Sequence, residues 1–209
     1  MALVKYNNQS IASITETGMT SGAMTLIKSQ TASSSGTISF IHGTSDVVLD
    51  STYPIYVFEW INMHPASDDQ SFLFQGTTDG SNFNINVTNT SFTANHNEAD
   101  DGTQLAYNAA YDSDNDTSFM VGGANVGNDN DQGVCGYLYL FNPSSTTFVK
   151  HYISRNHSYG ATNYARSFFV SGYFDTTSAV TGMQFKFASS NMDTGTIKLY
   201  GLKDSYWLF

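Results

Sequence analysis

"YPIYVFEWINMH", residues 53–64, alternates strictly: Tyr56, Phe58 and Trp60 fall on one face, and Ile55, Val57 and Glu59 on the other. A period of two in aromatic and β-branched residues specifies a strand, because successive side chains of a pleated backbone point to opposite sides. Trp60 and its two aromatic neighbours mark the face that must be covered.

The same pattern recurs outward in both directions. "MTLIKS" (24–29) and "TASSSGTISFIHG" (31–43) read as strands on the N-terminal side, and "QSFLFQ" (70–75) as the first strand on the C-terminal side. "CGYLYLFN" (135–142), "TTFVKHYIS" (146–154), "YARSFFVSGYF" (164–174), "VTGMQFKF" (180–187) and "TIKLYGLK" (196–203) follow on that side. Asp79-Gly80 supplies turn chemistry, and Phe83, Ile85 and Val87 alternate with asparagines after it, which predicts a further strand. Met183, Phe185 and Phe187 face Ile197 and Leu199 across Asp193, Thr194 and Gly195, which predicts a terminal hairpin with its turn at 193–195. Nine or ten short strands with no helical interlude indicate an all-β chain, an antiparallel β-sandwich of jelly-roll type.

Composition agrees with strands. Ser (26), Thr (23), Asn (18) and Gly (17) make up 84 of the 209 residues, and these types either compete with helical hydrogen bonding or build turns. Residues 1–22 are polar and weakly patterned and read as an N-terminal arm. Residues 23–209 read as one domain with long acidic loops around 95–132, where Asp, Asn and Gly crowd together and short strands are expected only near 105–107 and 119–121.

The net charge is −10, and no Lys or Arg occurs between Lys28 and Lys150, a gap that holds 14 of the 18 acidic residues. Such a surface repels phosphate, which argues against nucleic-acid binding and against docking on anionic membranes. No stretch approaches the roughly 18 apolar residues of a membrane span, and the N-terminus lacks an apolar export segment. A lone cysteine rules out an internal disulfide framework; Cys135, in an apolar strand, is expected to be a buried thiol.

Residue types suited to chemistry are sparse. Asp112, Asp114 and Asp116 alternate as calcium-loop carboxylates do, but without the glycine and terminal glutamate of that pattern, so a solvated acidic loop is the expectation; Asp129 and Asp131 are read the same way. The histidines at 42, 64, 96, 151 and 157 show no zinc spacing. Glu59 is expected on the outer face of its strand, with a sugar-binding or general-acid role as the alternative. Tyr107, Tyr111, Tyr159 and Tyr164 are placed to pack on loop ends or to stack on sugar rings. Lys150, Arg155 and Arg166 form the one basic stretch, with the acidic middle segment as its counterpart in the same or a neighbouring subunit. Tyr206, Trp207, Leu208 and Phe209 form an apolar terminus that tucks into the sandwich or into a neighbour. No catalytic residue, metal ligand or cofactor is assigned.

Several stretches, in order, resemble a family of virion structural proteins of tailed phages of marine bacteria. They include "MALVKYNNQSI", "LIKSQTASSSGTISF", "YPIYVFEWINMHPASDD", "FQGTTDGSNFN", "LYLFNPSSTTFVKHY" and "TTSAVTGMQFKFASSNMDTGTIKLYGLK". The resemblance runs over nearly the whole chain. It implies a particle component and no known catalytic residues, and the expectation built on it is a non-enzymatic module on the capsid or tail that assembles as a symmetric homo-oligomer such as a trimer, with other virion proteins as partners. Recognition of a host surface glycan by a tail fibre is the alternative.

Overall fold

The computed structural model describes residues 24–203. The N-terminal arm expected over 1–22 and the aromatic terminus at 206–209 lie outside the described residues.

Thirteen strands occur among them: β1 (Met24–Thr31), β2 (Ile38–Ile41), β3 (Ile55–Pro65), β4 (Gln70–Thr77), β5 (Val87–Asn97), β6 (Thr103–Tyr107), β7 (Ser113–Asp116), β8 (Met120–Val126), β9 (Gly133–Phe141), β10 (Lys150–Tyr159), β11 (Tyr164–Phe174), β12 (Gly182–Phe187) and β13 (Met192–Leu202). No helix interrupts them. They form two antiparallel sheets, a large one in the order β1-β13-β3-β9-β10-β11-β5-β6, with β7 also on β5, and a small one in the order β2-β12-β4-β8. The all-β antiparallel sandwich expected from the alternation is what forms.

The core lies between the sheets. Tyr56, Phe58 and Trp60 of β3 are buried, as their alternation requires, and Phe58 and Trp60 meet Phe40, Phe72 and Phe185 from the small sheet. Phe185 is the hub: its ring lies 5.3 Å from that of Phe58, 5.7 Å from Trp60, 6.1 Å from Phe72 and 6.3 Å from Phe40. A second group, Phe74, Tyr152 and Phe174, continues the core beneath β10 and β11. Tyr152 is so enclosed that burial pushes its hydroxyl pKa far above the ordinary range.

Three expectations need correction. β12 and β13 do not form a hairpin; the chain crosses from the small sheet to the large one at 188–191, and Phe185 of β12 packs across the core on Phe58 and Trp60 of β3, the neighbour of β13. Alternation is satisfied equally well by pairing edge to edge or by packing face to face, so it left this choice open. Asp193, Thr194 and Gly195 therefore lie inside β13, where the register against β3 shifts twice as bulges. Phe83 and Ile85 are unpaired: β5 starts only at Val87, although Ile85 still buries its side chain. In the middle segment the strands expected near 105–107 and 119–121 are present as β6 and β8, while residues 113–116, expected as loop, add β7 to β5.

Lys150 does not join a basic cluster. It is 0% exposed, and its ammonium donates to the carbonyls of Phe148 (2.7 Å) and Thr176 (3.1 Å). Burial disfavours the charged form and pulls its pKa below the ordinary lysine value of 10.5. Between the lowered folded value and the unfolded one, the unfolded chain binds more protons, so stability rises with pH through that window. Urea midpoints of the native protein are expected to climb relative to those of Lys150→Met as the pH rises toward 10.5. A difference that stays flat with pH would show the ammonium to be solvated.

Candidate functional site

The strands that bury Tyr56, Phe58 and Trp60 turn their alternate residues away from the core, onto the outer face of the large sheet. Of the exposed large apolar side chains among the described residues, all but Phe148 lie on that face; Leu105 (75% exposed), Tyr107 (60%) and Leu26 (53%) are the most open. Scattered exposed apolar residues need no account, but a contiguous set on one face does.

Register places the set in rows. One row runs directly across seven strands: Tyr107, Phe92, Phe169, Arg155, Tyr137, Glu59 and Lys198 are successive cross-strand partners from β6 to β13. The rings of Phe92 and Phe169 are stacked 4.6 Å apart and nearly parallel at 4°. The guanidinium of Arg155 lies over the Phe169 ring, 4.8 Å from its centroid, an arrangement in which ring quadrupole and cation attract. Glu59, on the outer face as expected, accepts a hydrogen bond from the Tyr200 hydroxyl at 3.3 Å. A second row passes through Thr90, Ser171, Ile153, Tyr139, Val57, Tyr200 and Leu26. Between the rows lies a groove of about 400 Å³ whose walls include Phe92, Tyr137, Ile153, Arg155 and Phe169.

At one end of this face the surface sinks into a polar cleft of about 500 Å³ lined by Asn62, His64, Asp131, Cys135, His157 and Tyr159, among others. Bulges build it. β3 shifts register between Trp60 and Met63, with Asn62 at φ 49°, and β13 answers with Gly195 at φ 117°. A β-carbon on Gly195 would sit 2.7 Å from the Asn62 carbonyl oxygen, so glycine is required there by both conformation and space. The bulge turns the Asn62 N–H toward Cys135 Sγ at 3.2 Å, and the thiol donates back to Asn62 Oδ1 at 3.2 Å. Cys135 is thus exposed on the outer face and not buried, because "CGYLYLF" is apolar on both faces and the thiol takes the outer one.

The remaining candidates disperse. Beside the cleft His64 lies 3.7 Å from Asp193 Oδ2, and Tyr159 donates to Glu98 Oε1 at 3.0 Å, a bond that raises its hydroxyl pKa. His96 pairs with Asp100 at 3.0 Å, His42 Nδ1 accepts the Leu49 N–H, and His151 packs edge-on to Tyr173. Asp112 accepts from Tyr107, whereas both oxygens of Asp116 are taken by Ser118, whose bonds hold that carboxyl below its usual value; Asp114 is exposed on β7. Tyr111 packs on Phe168 with centroids 5.8 Å apart, and Tyr164 lies under Arg166, which reaches Asn125 of the middle segment. Among the described residues, no group of three or more His, Cys, Asp or Glu side chains is placed to hold a metal ion.

The chain matches no family model, no curated protein and no solved structure. What it offers chemically is therefore read from this face alone: a broad apolar and aromatic surface with Arg155, Glu59 and Lys198 on its central row, and a polar cleft at its end.

Proposed function

We propose that this protein is a non-enzymatic structural component of a tailed-phage particle, a jelly-roll module that decorates the capsid or forms part of the tail and packs with further copies of itself and with other virion proteins. The observation that carries this reading is the nesting of strand pairs. β1 pairs with β13, β2 with β12, β3 with β9 and β4 with β8, so a chain folded back on itself is rolled into two sheets, with β5–β7 and β10–β11 as insertions widening one of them. That nesting supports a jelly roll, an architecture that recurs in viral capsid and lectin domains. The resemblance of the sequence to phage virion proteins favours the first. Mass spectrometry of gradient-purified particles is expected to find the chain at a fixed copy number, and recovery only from infected-cell cytosol would end the proposal. A chain lacking residues 1–20 is expected to keep its β-sheet circular dichroism and to lose particle binding.

A second reading is a glycan-binding module of a tail fibre. The cleft favours it, since Asn62, Asp131, His157 and Tyr159 converge where a sugar's hydroxyls would find hydrogen-bond partners. A glycan array run with and without chelator separates the two. An enzymatic reading through Glu59 gains nothing from its surroundings, whose cross-strand neighbours are Lys198 and Tyr137 and not a second carboxylate.

A further inference from the structure

We infer that the outer face of the large sheet is a self-association surface, on which two copies stack face to face about a two-fold axis running along β9. The inference gives the self-packing proposed above a surface and a symmetry, and makes no use of where the protein works.

Charge on the central row is arranged asymmetrically about β9. Arg155 lies one strand to one side of Tyr137, and Glu59 one strand to the other. Rotation by 180° about an in-plane axis along β9 exchanges the two sides of that strand, so Arg155 of each copy comes to face Glu59 of the other. The same operation sets Lys198 opposite the Phe169 ring, Ile153 opposite Val57, and Tyr137 and Tyr139 opposite themselves. This is the reciprocal pairing that an isologous interface demands. The other in-plane axis, across the strands, would leave Arg155 facing Arg155 and Glu59 facing Glu59, so electrostatics selects one two-fold and rejects the other.

Size and chemistry fit as well. The seven strands from β1 to β5 that overlap under this operation span about 29 Å at ~4.8 Å per strand, and the outward residues from Cys135 to Phe141 span about 20 Å. The footprint approaches 600 Å² before side-chain relief is counted, on the scale of the ~800 Å² each partner contributes to a standard interface. Aligned sheets packed in this way keep their strands within about 30° of each other at ~10 Å separation, a gap that an arginine and a glutamate reaching from opposite sides can close. The face is apolar and aromatic at its centre, which is the composition of an interface core.

Sedimentation of the full chain is expected to give a two-fold dimer. Arg155→Glu and Glu59→Arg each place like charges in both reciprocal contacts, and each is expected to raise the dimer dissociation constant at least about a hundredfold. An equimolar mixture of the two variants is then expected to dimerise again, because the heterodimer restores one native and one swapped ion pair. The doubly exchanged chain, R155E with E59R, is expected to dimerise by itself. Unchanged circular dichroism of each variant, together with rescue on mixing, separates loss of association from loss of fold. The inference is overturned if the full chain stays monomeric at about 100 μM, which would leave the face to a terminal segment of the same chain or to another protein. It is equally overturned by a trimer, or by a dimer insensitive to both reversals. None of these outcomes bears on the particle assignment, which particle mass spectrometry reads separately.

Discussion

Phe185→Ala is expected to lower the unfolding free energy by about 4 kcal/mol, the range for removing a buried phenylalanine, read as a shift of the urea midpoint without a change in slope. Phe185 stands on β12 in the small sheet, and its ring touches four others that come from both sheets: Phe40, Phe58, Trp60 and Phe72. Truncation removes the transfer free energy of the ring and leaves a cavity whose walls are themselves large rings fixed on hydrogen-bonded strands. Such walls relax poorly, so the cavity contribution is retained in full. Phe185→Leu keeps most of the volume and is expected to cost about half as much. Equal costs for the two variants would mean that the aromatic hub does not bridge the sheets.

Gly195→Val is expected to destabilise by about 3 kcal/mol or more and to deform the polar cleft. Gly195 sits at φ 117°, where an L side chain is strained by about 1–3 kcal/mol, and its β-carbon would press to 2.6–2.7 Å on Met63 and the Asn62 carbonyl. The strain falls on the bulge that aims Asn62 at Cys135, so the thiol is expected to react faster with Ellman's reagent once those two hydrogen bonds, both 3.2 Å, are lost. Gly36→Ala is the control. It has negative φ and meets only Asn191 Oδ1 at 3.6 Å, and is expected to change little. A cost for Gly195→Val no larger than for the control would remove the bulge from the account of the cleft.

Residues 53–64 made the strand class legible because burial on one face forces a period of two, and Tyr56, Phe58 and Trp60 obey it. The partner of each strand was not legible. β12 and β13 both alternate, and alternation reports that a face is buried without saying whether the neighbour lies beside it or across the core. The outer face was hidden for the same reason. Tyr107, Phe92, Phe169, Arg155, Tyr137, Glu59 and Lys198 are spread over most of the chain, and only register assembles them. One local signal was available. In "GYLYLF" Tyr137, Tyr139 and Phe141 are large aromatic rings alternating with Leu138 and Leu140, and an antiparallel strand without a strongly polar side has something to cover on both. Cys135 was misplaced through that same segment, where an apolar context was read as burial although it described the outer surface.

The nested pairing has a kinetic consequence. Because β1 closes against β13, residues 24–31 wait for residues 196–202 before their ladder can zip, and this outermost closure spans nearly the whole described chain. Loops of that length form late and slowly. Until residues 196–202 are in place, residues 24–31 have no native strand neighbour, so β1 is the last of the described strands to be seated.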